Sequence, residues 1–247
     1  METKTIFGYL DDFKLLPTYQ LERRIDAFMF PYSTAAVASK LNITKEDLVF
    51  VYPEFPLRRS KEIEEDNNDR VDKLSEYADY LLWHPKDKII YLVEFKTDIN
   101  SIKPTQFQSY INNCTGSNPW ETLLKYYYAK AINNSNWRKF ASGLNLIENK
   151  AKELLGQHRP LNLTKYTASK RGNGINRHLT DLKNTTKFNE QFKVKFIYLA
   201  PTASKAILEG YSRSEFYKGL ITLKEFAVFA DEDLKKLLIQ IDNSNNE

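Results

Sequence analysis

Three ionisable residues stand in two short stretches that are otherwise strongly apolar. Asp79 lies within residues 78–83, and Glu94 and Lys96 lie at the end of residues 89–96. A buried carboxylate or ammonium group is costly unless it is paired or bound to a metal, and acidic residues are depleted in strands. The compensation that we expect is a divalent cation held by Asp79 and Glu94, with Lys96 directed at a phosphate group.

The two apolar stretches predict the two strands of a β-hairpin. Residues 83–88 supply the turn, because proline and aspartate there favour turns. On the second strand, the two-residue periodicity places Glu94 and Lys96 on the same face as Ile90 and Leu92. Strands that are apolar on both faces are usually interior strands covered by helices.

A helix and a strand are predicted before the hairpin. Residues 17–30 predict a helix that opens after Pro17, with Glu22 beside its apolar stripe. Residues 48–52 form a short apolar run, which predicts a strand ended by Pro53.

A second helix is predicted after the hairpin. Pro104 suits its first turn, and Gln106 and Tyr110 share one face of this helix because they are four residues apart. Residues 193–200 predict the last strand, which Pro201 ends.

The length of 247 residues suits one large domain or two small ones, and no internal repeat or low-complexity linker divides the chain. We expect a single domain over residues 1–247, with its core at about 17–115 and 190–241. The core would carry a helical insertion at about 119–190, and residues 222–241 predict one or two terminal helices.

Composition gives weaker indications of partners and compartment. The net charge of +4 does not by itself indicate a polyanion partner, although residues 150–195 are basic. Cys114 is the lone cysteine, in a loop-like context, which excludes a disulfide framework and a cysteine-based zinc site. Neither a signal peptide nor an apolar run of about 20 residues is present, so we expect a cytoplasmic protein without membrane contact.

The order of these features resembles the PD-(D/E)XK nuclease superfamily, which has the restriction-endonuclease-like fold. The matching residues are, in chain order, Glu22, Asp79, Glu94, Lys96, Gln106 and Tyr110. The resemblance covers roughly residues 20–112 and the strand near 194–200. The proline that gives the superfamily its name is absent, since Ala78 precedes Asp79.

The resemblance implies an α/β fold with a central mixed β-sheet flanked by helices, and metal-dependent hydrolysis of phosphodiester bonds. Mg²⁺ or Mn²⁺ would be held by Asp79 and Glu94. Lys96 would orient or help deprotonate the attacking water, or neutralise the phosphate.

The resemblance also implies roles for residues on the two helices. Glu22 would coordinate a second ion or hold a metal-bound water, and Gln106 and Tyr110 would position a phosphate or the attacking water. The expected partner is nucleic acid, DNA in preference to RNA, and a homodimer is compatible with this interpretation.

Each of these residues also has a structural interpretation. Asp79 could face solvent at a strand edge, and Glu94 and Lys96 could form an exposed cross-strand ion pair. Glu22 could belong to a solvated helix face, and the two residues of the second helix could serve packing alone.

Further alternatives concern other residues and the function itself. Glu76 or Asp72 could replace Asp79 if the first hairpin strand begins earlier. The scattered histidines, which lack ligand spacing, are expected to be structural: His84, His158 and His178. A non-catalytic binding module on the same fold, or an unrelated α/β protein, also remains open.

Overall fold

A five-stranded sheet forms the centre of the computed structural model, which describes residues 22–58, 76–133, 191–211 and 213–245. The strands are β1 (Val49–Leu57), β2 (Glu76–His84), β3 (Ile89–Phe95), β4 (Lys193–Ala200) and β5 (Tyr217–Thr222). They lie side by side in chain order. The pairs β1–β2 and β2–β3 are antiparallel, whereas β3–β4 and β4–β5 are parallel. The sheet is therefore mixed, as the sequence predicted.

Helices cover both faces of this sheet. One face packs against α1 (Glu22–Leu41), α5 (Leu223–Ala227) and α6 (Glu232–Ser244). The other face packs against α2 (Pro104–Cys114), α3 (Pro119–Asn133) and α4 (Lys205–Glu209). The α/β class with a flanked mixed sheet is thus confirmed. None of the described helices is both long and apolar enough to cross a bilayer.

The predicted hairpin is confirmed. Strands β2 and β3 pair from His84↔Ile89 to Tyr80↔Val93, and all of β3 is buried. Its residues alternate between the two cores, as the periodicity predicted. The strand is apolar on both faces because helices cover both of them.

The first helix is longer than predicted. It was expected to end at Phe30, but α1 continues through Pro31 to Leu41. Residues 36–38 are buried against the sheet, so packing of this second half outweighs the hydrogen bond that proline removes. Residues 17–21, where the helix was predicted to open, lie outside the described residues.

The prediction that Pro53 ends the first strand was wrong. Strand β1 continues to Leu57, past Pro53 and Pro56. Among the described residues it pairs with β2 alone, as an edge strand, and an edge strand tolerates proline because one side of its backbone is not needed for pairing. Between the two prolines, Glu54 has a φ of 52°, a left-handed conformation that is uncommon for a residue other than glycine.

The remaining predictions have mixed outcomes. Residues 222–241 were predicted to form one or two helices, and the structure has two there, α5 and α6. Strand β5 and the short helix α4 were not predicted. The helical insertion is described only for α3, and residues 134–190 lie outside the described residues.

The side chains of Cys114 and His84 are reactive types, but both are buried and pack in the core. Cys114 is the last residue of α2 and not part of a loop, and burial raises the pKa of its thiol, which makes a thiolate unfavourable. His84 is buried at the end of β2, with Nδ1 3.2 Å from Asp87 Oδ2. His158 and His178 lie outside the described residues.

Candidate active site

The carboxylate of Glu94 is buried at the end of β3 and is surrounded by donors. Only 1% of Glu94 is exposed. Its Oε1 atom lies 2.6 Å from Lys96 Nζ and accepts a 2.6 Å hydrogen bond from Gln106 Nε2. The Tyr110 hydroxyl donates to Oε2. One cation and two neutral donors therefore compensate the burial of this charge.

Local structure explains why these four side chains meet. Glu94 and Lys96 point to the same face because they are two residues apart at the end of β3. Gln106 and Tyr110 are one turn apart on α2, which begins at Pro104 and packs on that face. The same-face predictions for both pairs are thus confirmed.

Asp79 lies beside this network on the neighbouring strand. It is adjacent to Tyr80, whose register partner is Val93, next to Glu94. Its Oδ2 atom accepts a 2.6 Å hydrogen bond from the amide of Phe95. Asp79 is partly buried, so a fully solvent-facing position at a strand edge does not describe it.

The carboxylates of Glu94 and Asp79 both lie close enough to the Tyr110 hydroxyl to affect its pKa. Burial raises this pKa well above its ordinary value, and the charges of Glu94 and then Asp79 raise it further. Both carboxylates therefore lie near the same hydroxyl. The raised pKa keeps Tyr110 protonated, as its role as a donor to Glu94 requires.

The structure does not describe the side chain of Glu22, which is the first described residue of α1. Asp26, one turn later, was not singled out from the sequence. Its carbonyl accepts a 2.8 Å hydrogen bond from the Tyr80 hydroxyl. The pKa of Tyr80 is raised by burial first and then by the charges of Asp79, Asp26 and Glu54. The sequence signal for Asp26 was its spacing of four residues from Glu22, which places both residues on one face of the helix.

Tyr198 and Glu76 are further neighbours of the Glu94 site. Tyr198 is the register partner of Glu94 on β4, and its pKa is raised by burial, by Glu94 and, more weakly, by Glu76. Within the part of the chain that the structure describes, its buried hydroxyl has no hydrogen-bond partner. Because β2 begins at Glu76, the condition under which Glu76 rivals Asp79 is met. The other rival, Asp72, lies outside the described residues.

Asp79 and Glu94 are the residues that would hold a metal ion. Across residues 22–58, 76–133, 191–211 and 213–245, no three carboxylate, imidazole or thiol groups form a set that could hold an ion. Mg²⁺ is usually bound by one or two carboxylates together with waters and substrate phosphates. The contacts of Glu94 with Lys96, Gln106 and Tyr110 use three of its roughly four acceptor positions and leave one at Oε2. Two carboxylates are the type of protein ligand that Mg²⁺ takes together with waters.

Comparisons with protein-family models, curated proteins and solved structures gave no match for this chain. No family is shown by similarity. An inference about function therefore rests on the geometry around Glu94 and on the resemblance of the sequence motifs.

Proposed function

We propose that the protein is a metal-dependent nuclease that hydrolyses phosphodiester bonds, with DNA as its preferred substrate. The observation that carries this proposal is the convergence of Lys96, Gln106 and Tyr110 on the buried carboxylate of Glu94, with Asp79 adjacent. These residues come from the separate motifs that resemble the PD-(D/E)XK superfamily. An accidental pattern would have no reason to converge in space.

The element order supports the same proposal. A helix is followed by a strand, a strand bearing Asp79, a strand ending in Glu94 and a helix bearing Gln106 and Tyr110. Strand β4 then completes the sheet beside β3. This is the order of the features in the resemblance, so a restriction-endonuclease-like core is the fold that we propose.

The residues around Glu94 would divide the work of hydrolysis. Asp79 and Glu94 would hold Mg²⁺ or Mn²⁺, which supplies positive charge to the phosphate and lowers the pKa of the attacking water. The Lys96 ammonium group would orient that water or neutralise a phosphate oxygen. Phosphodiester hydrolysis requires such relief of charge as the transition state forms.

Gln106 and Tyr110 are positioning residues in this proposal. Both donate to Glu94 in the described structure, so each fixes the orientation of the carboxylate. The sequence resemblance implied contacts with a phosphate or with water. The geometry favours a less direct role, in which the two side chains hold the metal-binding carboxylate in place.

A second candidate function is a catalytically inactive module that binds nucleic acid or a protein on the same fold. The observation that favours it is also at Glu94, because Lys96, Gln106 and Tyr110 already compensate the carboxylate without an ion. A network of this kind can stabilise a core without catalysing a reaction.

Cleavage assays distinguish the two candidates. Linear, circular and single-stranded DNA, and RNA, are incubated with the protein in Mg²⁺, in Mn²⁺ or in EDTA. We expect cleavage that requires a divalent ion and that is lost in Glu94→Gln. Circular substrate separates endonuclease from exonuclease activity.

An exposed ion pair provides the matched control. Lys205 and Glu209 are 3.9 Å apart on α4, and both side chains are more than half exposed. Glu209→Gln changes the same residue type and should cleave as wild type does, while thermal melts check that both variants fold. The nuclease proposal fails if no substrate is cut with either ion, or if a folded Glu94→Gln variant cuts as well as wild type.

A further inference from the structure

Four lysines gather on the face of the sheet that is opposite to Glu94. Lys193 and Lys195 lie on β4, Lys218 lies on β5 and Lys40 lies near the end of α1. We call these residues the lysine cluster. None of the four takes part in the Glu94 site.

The sheet register separates the lysine cluster from the Glu94 site. Lys195 pairs with Tyr91, whereas Tyr198 pairs with Glu94, so the cluster lies about 10 Å further along the strand. Tyr198 belongs to the core beneath α2, whereas Ile197 belongs to the core beneath α1. Strand alternation therefore directs Lys195 to the α1 face.

The lysines lie close together. Lys195 and Lys218 are on neighbouring strands and on the same face, and Lys218 and Lys193 are near enough to act on the Lys195 ammonium group. Lys40 lies close to Gly219, the residue after Lys218, because a Cβ added at Gly219 would lie 3.1 Å from Lys40 Cε and 3.8 Å from Lys40 Nζ. Gly219 has a φ of 114°, so glycine permits both this backbone conformation and the close approach.

The positive charge of the cluster is poorly compensated. Among the described residues, no carboxylate lies within 4.0 Å of any of these four ammonium nitrogens. Asp87 acts on Lys195 only at longer range and is itself exposed beside His84. Burial lowers the pKa of Lys195, and Lys218 and Lys193 lower it further. Like charges held in contact destabilise the protein unless an anion joins them.

We propose that the lysine cluster is a phosphate-binding site, in which Lys195, Lys218 and Lys40 contact the oxygens of one phosphate group. Phosphate suits the cluster because one group presents several acceptor oxygens and is negatively charged, with one charge as a backbone phosphodiester and close to two as free phosphate. Lysine binds phosphate as a point charge and needs no planar geometry.

The phosphate comes either from a nucleic-acid backbone or from a free phosphate compound. The backbone source rests on the proposed nuclease function, since a nuclease must hold a polyanion whose charge is spread over many phosphates. The site itself does not rest on that function. A backbone bound here would be held on the far side of the sheet from the cleavage site.

Binding is measured in EDTA, so that cleavage cannot occur and failure of the nuclease proposal does not affect the result. The test variant combines Lys195→Gln with Lys218→Gln. The control variant combines Lys205→Gln with Lys235→Gln, which removes the same charge from exposed lysines paired with Glu209 and Glu232. The conservative variant combines Lys195→Arg with Lys218→Arg.

Two probes distinguish the sources. In the first arm, inorganic phosphate is titrated against protein with ¹⁵N-labelled lysine, and the Nζ resonance of Lys40, which every variant retains, is followed. In the second arm, a fluorescent single-stranded DNA is bound at several salt concentrations. If the backbone is the source, the slope of log affinity against log salt should fall by about 0.7 in the test variant, which loses one phosphate contact.

Either response supports the site. Saturable Nζ shifts that vanish in the test variant identify free phosphate, and a reduced salt slope without such shifts identifies the backbone. The control and arginine variants should keep the wild-type response. The proposal is overturned if neither probe distinguishes the folded test variant from wild type, or if the control variant loses binding equally.

Discussion

At the end of β3, the Glu94 carboxylate has a cation and two hydrogen-bond donors around it. On the other face of the sheet, the Lys195 ammonium group has lysines as its closest charged neighbours. The first charge is compensated within the chain, although it is almost fully buried. The second is more accessible to solvent, yet the described residues compensate it poorly.

The two regions show two different reasons for a charge in an apolar setting: compensation within the fold, and binding of a ligand. A compensated carboxylate can be part of the folded structure and still bind an ion that replaces some of its contacts. A group of like charges gains nothing from the fold, so a ligand is the simplest reason for keeping it together. Substitutions should therefore affect catalysis and stability at Glu94, and mainly ligand binding at the lysine cluster.

The largest expected effect is on cleavage by Asp79→Asn. Asparagine can still accept the hydrogen bond from the Phe95 amide, but it removes the charge that a divalent ion needs. We expect cleavage to fall about 10³-fold, with little change in thermal stability. Initial rates at saturating Mg²⁺ measure this effect.

The control is Asp87→Asn, the same change in the exposed turn of the hairpin, which should cleave as wild type does. Full cleavage by Asp79→Asn would remove Asp79 from the site. Glu76→Gln would then be the next variant, because Glu76 starts the same strand and acts on Tyr198.

The next largest expected effect is a loss of stability in the Lys96→Met variant. This change leaves the Glu94 charge buried with only Gln106 and Tyr110 as donors, and we expect a loss of about 3 kcal/mol in the free energy of unfolding. Urea denaturation measures it. Adding Glu94→Gln should recover part of the loss, because the amide removes the buried charge, accepts from one donor through its oxygen and can donate to the Tyr110 hydroxyl oxygen.

Lys205→Met is the control, because the Lys205–Glu209 pair is exposed and should contribute about 0.5 kcal/mol or less. If Lys96→Met were no more destabilising than this control, the Lys96–Glu94 contact would behave as a surface pair. The contrast between the two faces of the sheet would then disappear.

The parts of the Glu94 site that the sequence could predict are local. Glu94 and Lys96 share a face because of strand alternation, and Gln106 and Tyr110 share a face because of helical periodicity. Their charges and amide groups stand out against apolar neighbours. These rules require only neighbouring residues, which is why the hairpin and α2 agree with the predictions.

The features that were missed depend on distant contacts. Tyr198 lies beside Glu94 only because β4 pairs with β3 in one register, and nothing local to residues 193–200 specifies that register. Strand β5 is short and contains Gly219, so its pattern is weak. The second half of α1 depends on packing against the sheet, which outweighs the proline signal.

A smaller effect is expected from Tyr110→Phe, which removes one donor from the Glu94 carboxylate. A hydrogen bond to a charged acceptor contributes about 2 kcal/mol. Burial and the charge of Glu94 raise the pKa of Tyr110 above that of the unfolded chain. The contribution should therefore be complete below about pH 10 and should decline as pH rises further.

Urea denaturation of wild type and variant at several pH values checks this prediction. Tyr77→Phe, at an exposed position near the start of β2, should change stability by less than about 0.5 kcal/mol. An equal loss in both variants would mean that the Tyr110 hydroxyl does not stabilise Glu94.

The smallest expected effect is at the lysine cluster, where Lys195→Met should stabilise the protein. Removing one of several like charges should add about 0.5 kcal/mol at pH 7 and low salt. Because the pKa of Lys195 is lowered in the folded protein, the unfolded chain binds more protons between that lowered value and about 10.4. Wild-type stability therefore rises with pH across this window, and the advantage of the variant should shrink.

Denaturation of both proteins from pH 7 to pH 10, with and without phosphate, measures the difference. Phosphate should also remove the advantage of the variant, because a bound anion compensates the wild-type cluster. A variant that is less stable than wild type at pH 7 without phosphate would show that the packing of the lysine stem outweighs charge repulsion. In that case the lysine cluster would resemble the Glu94 site, as a group of charges that the fold itself stabilises.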